Sequence, residues 1–116
     1  MQQDIIAYST QIGRDLMLVQ GAGGNISWKE GDTIWIKASG TWLAEASYRD
    51  IFIPLSLSTA RAILSGGLPD LSAALLSDSP LRPSIETSLH TMLPHTIVVH
   101  IHAVEVIAHS VLKQGR

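Results

Sequence analysis

Ser84–His102, SIETSLHTMLPHTIVVHIH, changes its hydrophobic period midway. In the first half Ile85, Leu89 and Leu93 recur every fourth residue, one stripe of a 3.6-residue helix, and Ser84 is placed to cap its start as a side-chain acceptor. Glu86 and His90 share another face of the same helix. Pro94 cannot continue it, and Thr96–Ala103 is short and rich in β-branched residues, the composition of a strand. Side chains alternate along a strand, so Ile97, Val99, Ile101 and Ala103 form one apolar face, expected to be core. Val98, His100 and His102 point the other way, with the two histidines about 7 Å apart at their α-carbons. A helix, a turn and a buried strand in this order predict an α/β domain whose site lies on the histidine face.

Neutral imidazole nitrogen and carboxylate oxygen are the ligands that zinc takes in catalytic sites, which use three protein ligands and keep one position open. His100, His102 and Glu86 offer that donor chemistry. The same two histidines could equally be half-buried residues hydrogen-bonded to backbone carbonyls. The chain has no cysteine, so a metal would have to be held by His, Asp or Glu, and zinc or a harder divalent ion fits.

Upstream, Ile5, Tyr8, Ile12, Leu16 and Val19 recur at three- and four-residue steps and predict an amphipathic helix over residues 4–19. Gln20–Ser27, QGAGGNIS, follows a helix instead of a strand, and Ile26 stands where a dinucleotide fingerprint needs its third glycine. No Gly-Lys-Ser/Thr appears either, which excludes a P-loop. Gly21, Gly23 and Gly24 either cap the helix or let backbone approach a ligand, with Asn25 placed to donate its amide. Asn25–Trp28 and Thr33–Ala38 flank a polar KEGD turn and predict a β-hairpin, with Ile34 and Ile36 on one face and Trp35 and Lys37 on the other. Ser39-Gly40-Thr41 ends its second strand, as an ordinary turn or as an anion-binding nest. Ile51–Leu55 predicts a strand that Pro54 confines to a sheet edge, and Ser56–Leu64 a helix. Asp70–Pro83 is rich in Ser, Asp and Pro and predicts an irregular, flexible loop. Arg82, at its end, either meets a phosphate or is solvated. A last helix is expected over Val104–Lys113, with His109 structural and Glu105 exposed.

At 116 residues the chain predicts one domain, large enough to bury about two thirds of its unfolded surface. Its 46% apolar and 16% charged content excludes disorder and suggests surface hidden against another chain. A net charge of −2 without a basic cluster gives no footprint for nucleic acid or an anionic membrane. The N-terminus has an acid where a signal peptide needs basic residues, and no apolar run reaches the length of a span, so a cytoplasmic location is expected.

Ser-x-Glu-x-x-x-His followed by an apolar strand ending His-x-His-Ala, together with QGAGGNIS, resembles the signature of the class II aldolase and adducin family. The resemblance implies a layered α/β/α fold with a mainly antiparallel central sheet. It implies Zn2+, or another divalent metal, bound by Glu86, His100 and His102, with Glu86 also the catalytic acid/base and His90 orienting it or a ligand from behind. It assigns Gly24, Asn25, Ser39, Gly40 and Ser84 to a substrate phosphate, with Thr41 as an addition. The implied reaction is an aldolase-type cleavage of a sugar phosphate through a metal-stabilised enediolate, in a homo-oligomer. Ile85 replaces a second phosphate-binding serine, which suggests a different substrate. The resemblance spans residues 1–116 but only the first half of the family domain, without its third zinc histidine, so the chain is expected to be incomplete. His95 or His109 of a neighbouring copy could supply that ligand. An adducin-like interaction module, or an inactive fragment, is the alternative.

Overall fold

The computed structural model describes residues 2–15, 18–19, 21, 23–67, 70–78, 80–84 and 86–101. By internal contacts the chain divides into two units, one of residues 1–25, 41–51 and 100 onward, the other of residues 26–40 and 52–99.

The first unit begins with α1, Gln2–Gly13, whose buried residues are Ile5, Ser9, Thr10 and Ile12. Tyr8, expected on the inward stripe, is half exposed instead. The inward line runs through Ser9, whose small side chain turns back to donate to the Ile5 carbonyl at 2.7 Å and leaves no outward polar group. The helix expected to reach residue 19 stops at Gly13 for a steric reason. A Cβ there would collide with the Ala44 nitrogen and lie 2.6 Å from the Leu43 carbonyl carbon. The 3-10 turn Leu43–Glu45 therefore crosses the helix end at backbone distance. Leu43, Val19 and Ile51 are buried in this unit. Glu45 accepts from the Trp42 amide at 3.0 Å and pairs with Arg49 at 3.2 Å.

The sheet has the order β3-β2-β1-β4. β1, Asn25–Glu30, and β2, Thr33–Lys37, form the expected hairpin, with Ser27 opposite Ile36 and Glu30 opposite Thr33. Its two-residue turn places Gly31 at φ +57, an angle that a side chain opposes. β3, Phe52–Ser56, pairs antiparallel with β2 and is an edge strand, as Pro54 requires. Lys29 N donates to Thr96 O at 2.8 Å, joining β4, Ile97–His100, to β1.

The second unit's core lies on one face of this sheet. Ile34, Ile36, Ile53 and Leu55 pack with Leu57 and Ala60 of α2, Leu57–Ser65, and with Leu71 and Ala74 of the loop that follows. That loop is not loose, contrary to its composition. It makes the 3-10 turn Ser72–Ala74, bridges Leu75 to Leu55, and donates Leu76 N to Pro54 O at 3.0 Å, so it closes the outer edge of β3. The other face of the hairpin holds fully buried Trp28, stacked on Trp35 at 5.9 Å and edge-on to Phe52 at 4.8 Å. Lys37 on that face is only 2% exposed.

Asp32, at the hairpin tip, holds the start of α2. Its Oδ1 accepts from Ser58 N at 2.9 Å and its Oδ2 from Ser58 Oγ at 2.7 Å, while its carbonyl accepts from Leu57 N. Ser56 is the N-cap, its Oγ accepting from Thr59 N at 3.3 Å.

Two expectations for the organising stretch are corrected. α3 runs Thr87–Met92 with Glu86 at its N-cap position, so Ser84 stands before the cap and contributes its carbonyl to the first turn. The inward side of α3 is Thr87, His90 and Thr91, whereas Leu89 is 54% exposed. Burial is tolerable for these polar groups because they are hydrogen-bonded: Thr87 Oγ1 donates to Ser84 O, His90 meets Ser27, and Arg61 Nε donates to Thr91 O at 3.2 Å. On β4, Ile97 and Val99 are 47% and 38% exposed, while Val98 and His100 are half-buried. The apolar face is thus not the core face. Pairing of Lys29 with Thr96 turns Val98 to the Ser27 side, which α3 covers, and leaves Ile97 and Val99 on the other.

Ile85, His102 and the helix expected over Val104–Lys113 lie outside the described residues. Among the described residues, no helix is long and apolar enough to cross a membrane.

Candidate functional site

The end of β2 and the approach to α3 are held together by backbone. Ala38 bridges Pro83, and Ser39 N donates to Arg82 O at 2.8 Å, so the Ser39–Gly40 turn lies beside Ser84. Gly40 takes φ +78, and a Cβ there would meet nothing within 4 Å. The glycine is required by the angle, not by crowding, and the turn opens outward. Ser84 O accepts from Thr87 N at 3.1 Å and Thr87 Oγ1 at 2.7 Å, which sets the first turn of α3.

Glu86 follows directly. It is half-buried, with its Oε2 shielded from solvent, and its carbonyl accepts from His90 N at 3.2 Å. His90 is fully buried one turn on, its Nδ1 2.6 Å from Ser27 Oγ. The expected role of His90 behind Glu86 therefore coexists with an anchoring bond to β1. Ser39, Gly40, Ser84, Glu86 and His90 all fall in the second unit.

Gly24, Asn25 and His100 belong to the first unit. Gly24 has φ +77, and a Cβ on it would lie 3.1 Å from Val19 Cγ2 and 3.3 Å from both His100 O and Leu43 Cδ1. Glycine here serves both angle and close packing, and it sets the QGAGGNIS segment against the end of β4. Asn25 and Thr41 are buried, and the Nδ1 of half-buried His100 is shielded from solvent. Of the expected metal ligands, Glu86 and His100 are described and His102 is not. Among the described residues no cluster of three or more His, Cys, Asp or Glu is assembled. The donor set itself, one carboxylate and two imidazoles, fits a borderline divalent ion.

Sequence patterns did not single out a cleft of about 250 Å³ beside α3, whose polar wall includes Asp70, Ser72, Arg82, Ser84 and Ser88. Asp70 Oδ1 accepts from Ser72 Oγ at 2.6 Å and Ser72 N at 2.9 Å, and the hydroxyl bond first, then the amide, holds its carboxyl below the ordinary range. The Asp-x-Ser spacing is the available signal for such a turn. Ser27 was also missed as the partner of His90. Its place on the Ile36 face of β1 is the clue, because a buried hydroxyl there needs a bonding partner. Nearby, partial burial and then the proximity of Arg61 lower the Lys29 ammonium, whose Nζ donates to His95 O at 2.6 Å.

The antiparallel sheet with helices on its Ile34–Ile36 face, joined to this Ser-x-Glu-x-x-x-His segment, defines the class. The chain belongs to the Class II Aldolase and Adducin N-terminal domain family, whose sequence model matches residues 3–116. A similar solved structure is the N-terminal class II aldolase domain of a conserved protein from Thermoplasma acidophilum. It has a TM-score of 0.70 and 31% identity over 85% of this chain and 53% of that one. A Bacillus subtilis (strain 168) protein, described as the uncharacterized oxidoreductase YuxG, is 32% identical over 116 aligned positions, covering 86% of this chain and 17% of that protein. The chain thus spans about half of the first relative and under a fifth of the second.

Proposed function

We propose that the chain provides part of the site of a divalent-metal-dependent lyase of the aldolase type, acting on a sugar phosphate or a related hydroxy-carbonyl compound. The observation that carries this reading is the backbone link between the Ser39–Gly40 turn and Arg82–Ser84, which brings together two distant segments expected to bind phosphate. Ser39, Gly40 and Ser84 would hold the anionic end of the substrate. Gly24 and Asn25 are proposed to contribute from the QGAGGNIS segment.

Glu86 is proposed as the acid/base. A carboxylate with one shielded oxygen, fixed at the first turn of a helix, can accept a substrate proton and return it without changing position. His90, anchored to Ser27, limits how far that turn can move. Glu86, His100 and His102 would hold the metal, which when bound supplies Lewis-acid polarisation of the substrate oxygens. The oxidoreductase description of the Bacillus protein is not carried over. The chain spans 17% of that protein, and its own glycine segment lacks a dinucleotide fingerprint.

Zinc titration of chelator-stripped protein tests the ligand assignment. Wild-type chain is expected to take up one zinc, and the His100→Ala/His102→Ala double variant to bind at least tenfold more weakly. Equal uptake by both would overturn it. Glu86→Gln should abolish cleavage across a panel of sugar phosphates while circular dichroism stays unchanged, and retained cleavage would remove Glu86 from the chemistry.

A further inference from the structure

We propose that the cleft beside α3 binds a small polyol bearing a terminal oxyanion, with Arg82 gripping the oxyanion and Asp70 accepting from the hydroxyl groups. This deepens the function proposed above, since it rests on the reading that Ser84 belongs to the substrate site.

Arg82 is exposed, and among the described residues the ion pair formed is Arg49–Glu45, which leaves the Arg82 guanidinium without an acidic partner. Its five donors lie in one plane and match the oxygens of a phosphate or carboxylate two at a time. Its backbone is fixed by the Ser39 N–Arg82 O bond and by the adjoining Pro83–Ala38 bridge, so the side chain starts from an anchored position. Preorganisation of that kind lowers the cost of ordering on binding.

Asp70 decides against a bare anion. Ser72 occupies its Oδ1 twice, and Oδ2 takes no bond in the described structure, so the cleft holds one positive and one negative group with net charge near zero. An inorganic anion gains Arg82 but meets Asp70 as a like charge. A polyol with a terminal oxyanion satisfies both, donating hydroxyl protons to Asp70 and placing its charge on Arg82. Ser84 and Ser88 add hydroxyls that can either donate or accept. Leu71, nearly buried, supplies an apolar patch against which the C–H face of a polyol can lie.

The test is an NMR titration of the full chain in chelator, so that no metal takes part, using glycerol 3-phosphate, glycerate, glycerol and inorganic phosphate. Glycerol 3-phosphate or glycerate should shift the amides of Ser72, Ser84 and Ser88 together, and whichever binds tighter identifies the oxyanion as phosphate or carboxylate. Arg82→Gln should weaken that ligand about tenfold or more, and Arg82→Lys should recover only part of the loss. Asp70→Asn should weaken the polyol several-fold while leaving inorganic phosphate bound as well or better. Unchanged binding by Arg82→Gln would overturn the proposal, and so would preference for inorganic phosphate. Shifts confined to Ser39 and Gly40 would also overturn it, yet would leave the proposed function standing with its phosphate on the turn alone. Absence of any shift with all four probes refutes the cleft, while the zinc titration judges the metal reading separately.

Discussion

β3 and β4 are both edge strands with alternating apolar residues, and they end in opposite situations. On β3 and the residue before it, Ile51, Ile53 and Leu55 are all buried, and the Leu71–Leu76 segment covers the strand's outer edge. On β4 the equivalent alternation leaves Ile97 and Val99 exposed, while the side carrying Val98 and His100 is partly covered. Alternation therefore tells which residues share a face, but not which face a second layer will cover. β3 is sealed by apolar contact. The α3 side next to β4 is held by directional polar bonds.

The sharpest test of that contrast is a pair of truncations. Ile53→Ala should cost about 2–5 kcal/mol in denaturant unfolding, the range for emptying a packed core site. Val99→Ala should fall within about 0.5 kcal/mol, as for exposed positions. Similar costs at the two sites would show that the β4 face is covered after all. The second test removes a polar tie. Ser27→Ala leaves the buried His90 Nδ1 without its described partner and should cost about 1–3 kcal/mol. Hydrogen exchange should quicken first in α3, and unaltered α3 exchange would mean that this bond does not hold the helix.

The smallest effect is expected at Asp32, on the sealed side. Its carboxyl is held below the usual 3.8, first by the Ser58 hydroxyl and then by the Ser58 amide and Ser56. A depressed folded value means the unfolded chain binds the proton more readily, so this contribution is present above about pH 4 and is lost as pH falls through the folded value. Asp32→Asn should flatten the acid limb of the stability profile slightly. An identical limb in both proteins would assign no role to that carboxylate.

Much of the fold was legible in the sequence. The hairpin, the edge position of β3 and the helix after it follow from KEGD, Pro54 and Ser56, because turn chemistry and caps act over a few residues. What was not legible depends on distant partners. Gly13 ends α1 because the 3-10 turn at Leu43–Glu45 crosses it, and nothing in residues 4–19 shows that. The polar inward face of α3 depends on Ser27, 63 residues from His90 in sequence. The candidate site was legible where residue types carry chemistry, at Glu86, Ser39 and Ser84. It was not legible where an ordinary loop folds back to offer Asp70 and Arg82 to one cleft.

The Ser27–His90 bond has a consequence for rotation. Apolar contact lets a helix roll about its own axis with little penalty, since one greasy surface exchanges for another. A 2.6 Å hydrogen bond between two buried side chains does not, because a roll of a few degrees bends its angle before any contact is lost. α3 is thus keyed to β1 like a shaft to a hub. Its azimuth is set at His90 and transmitted one turn back to Glu86, so a carboxylate on a six-residue helix inherits the aim of a strand.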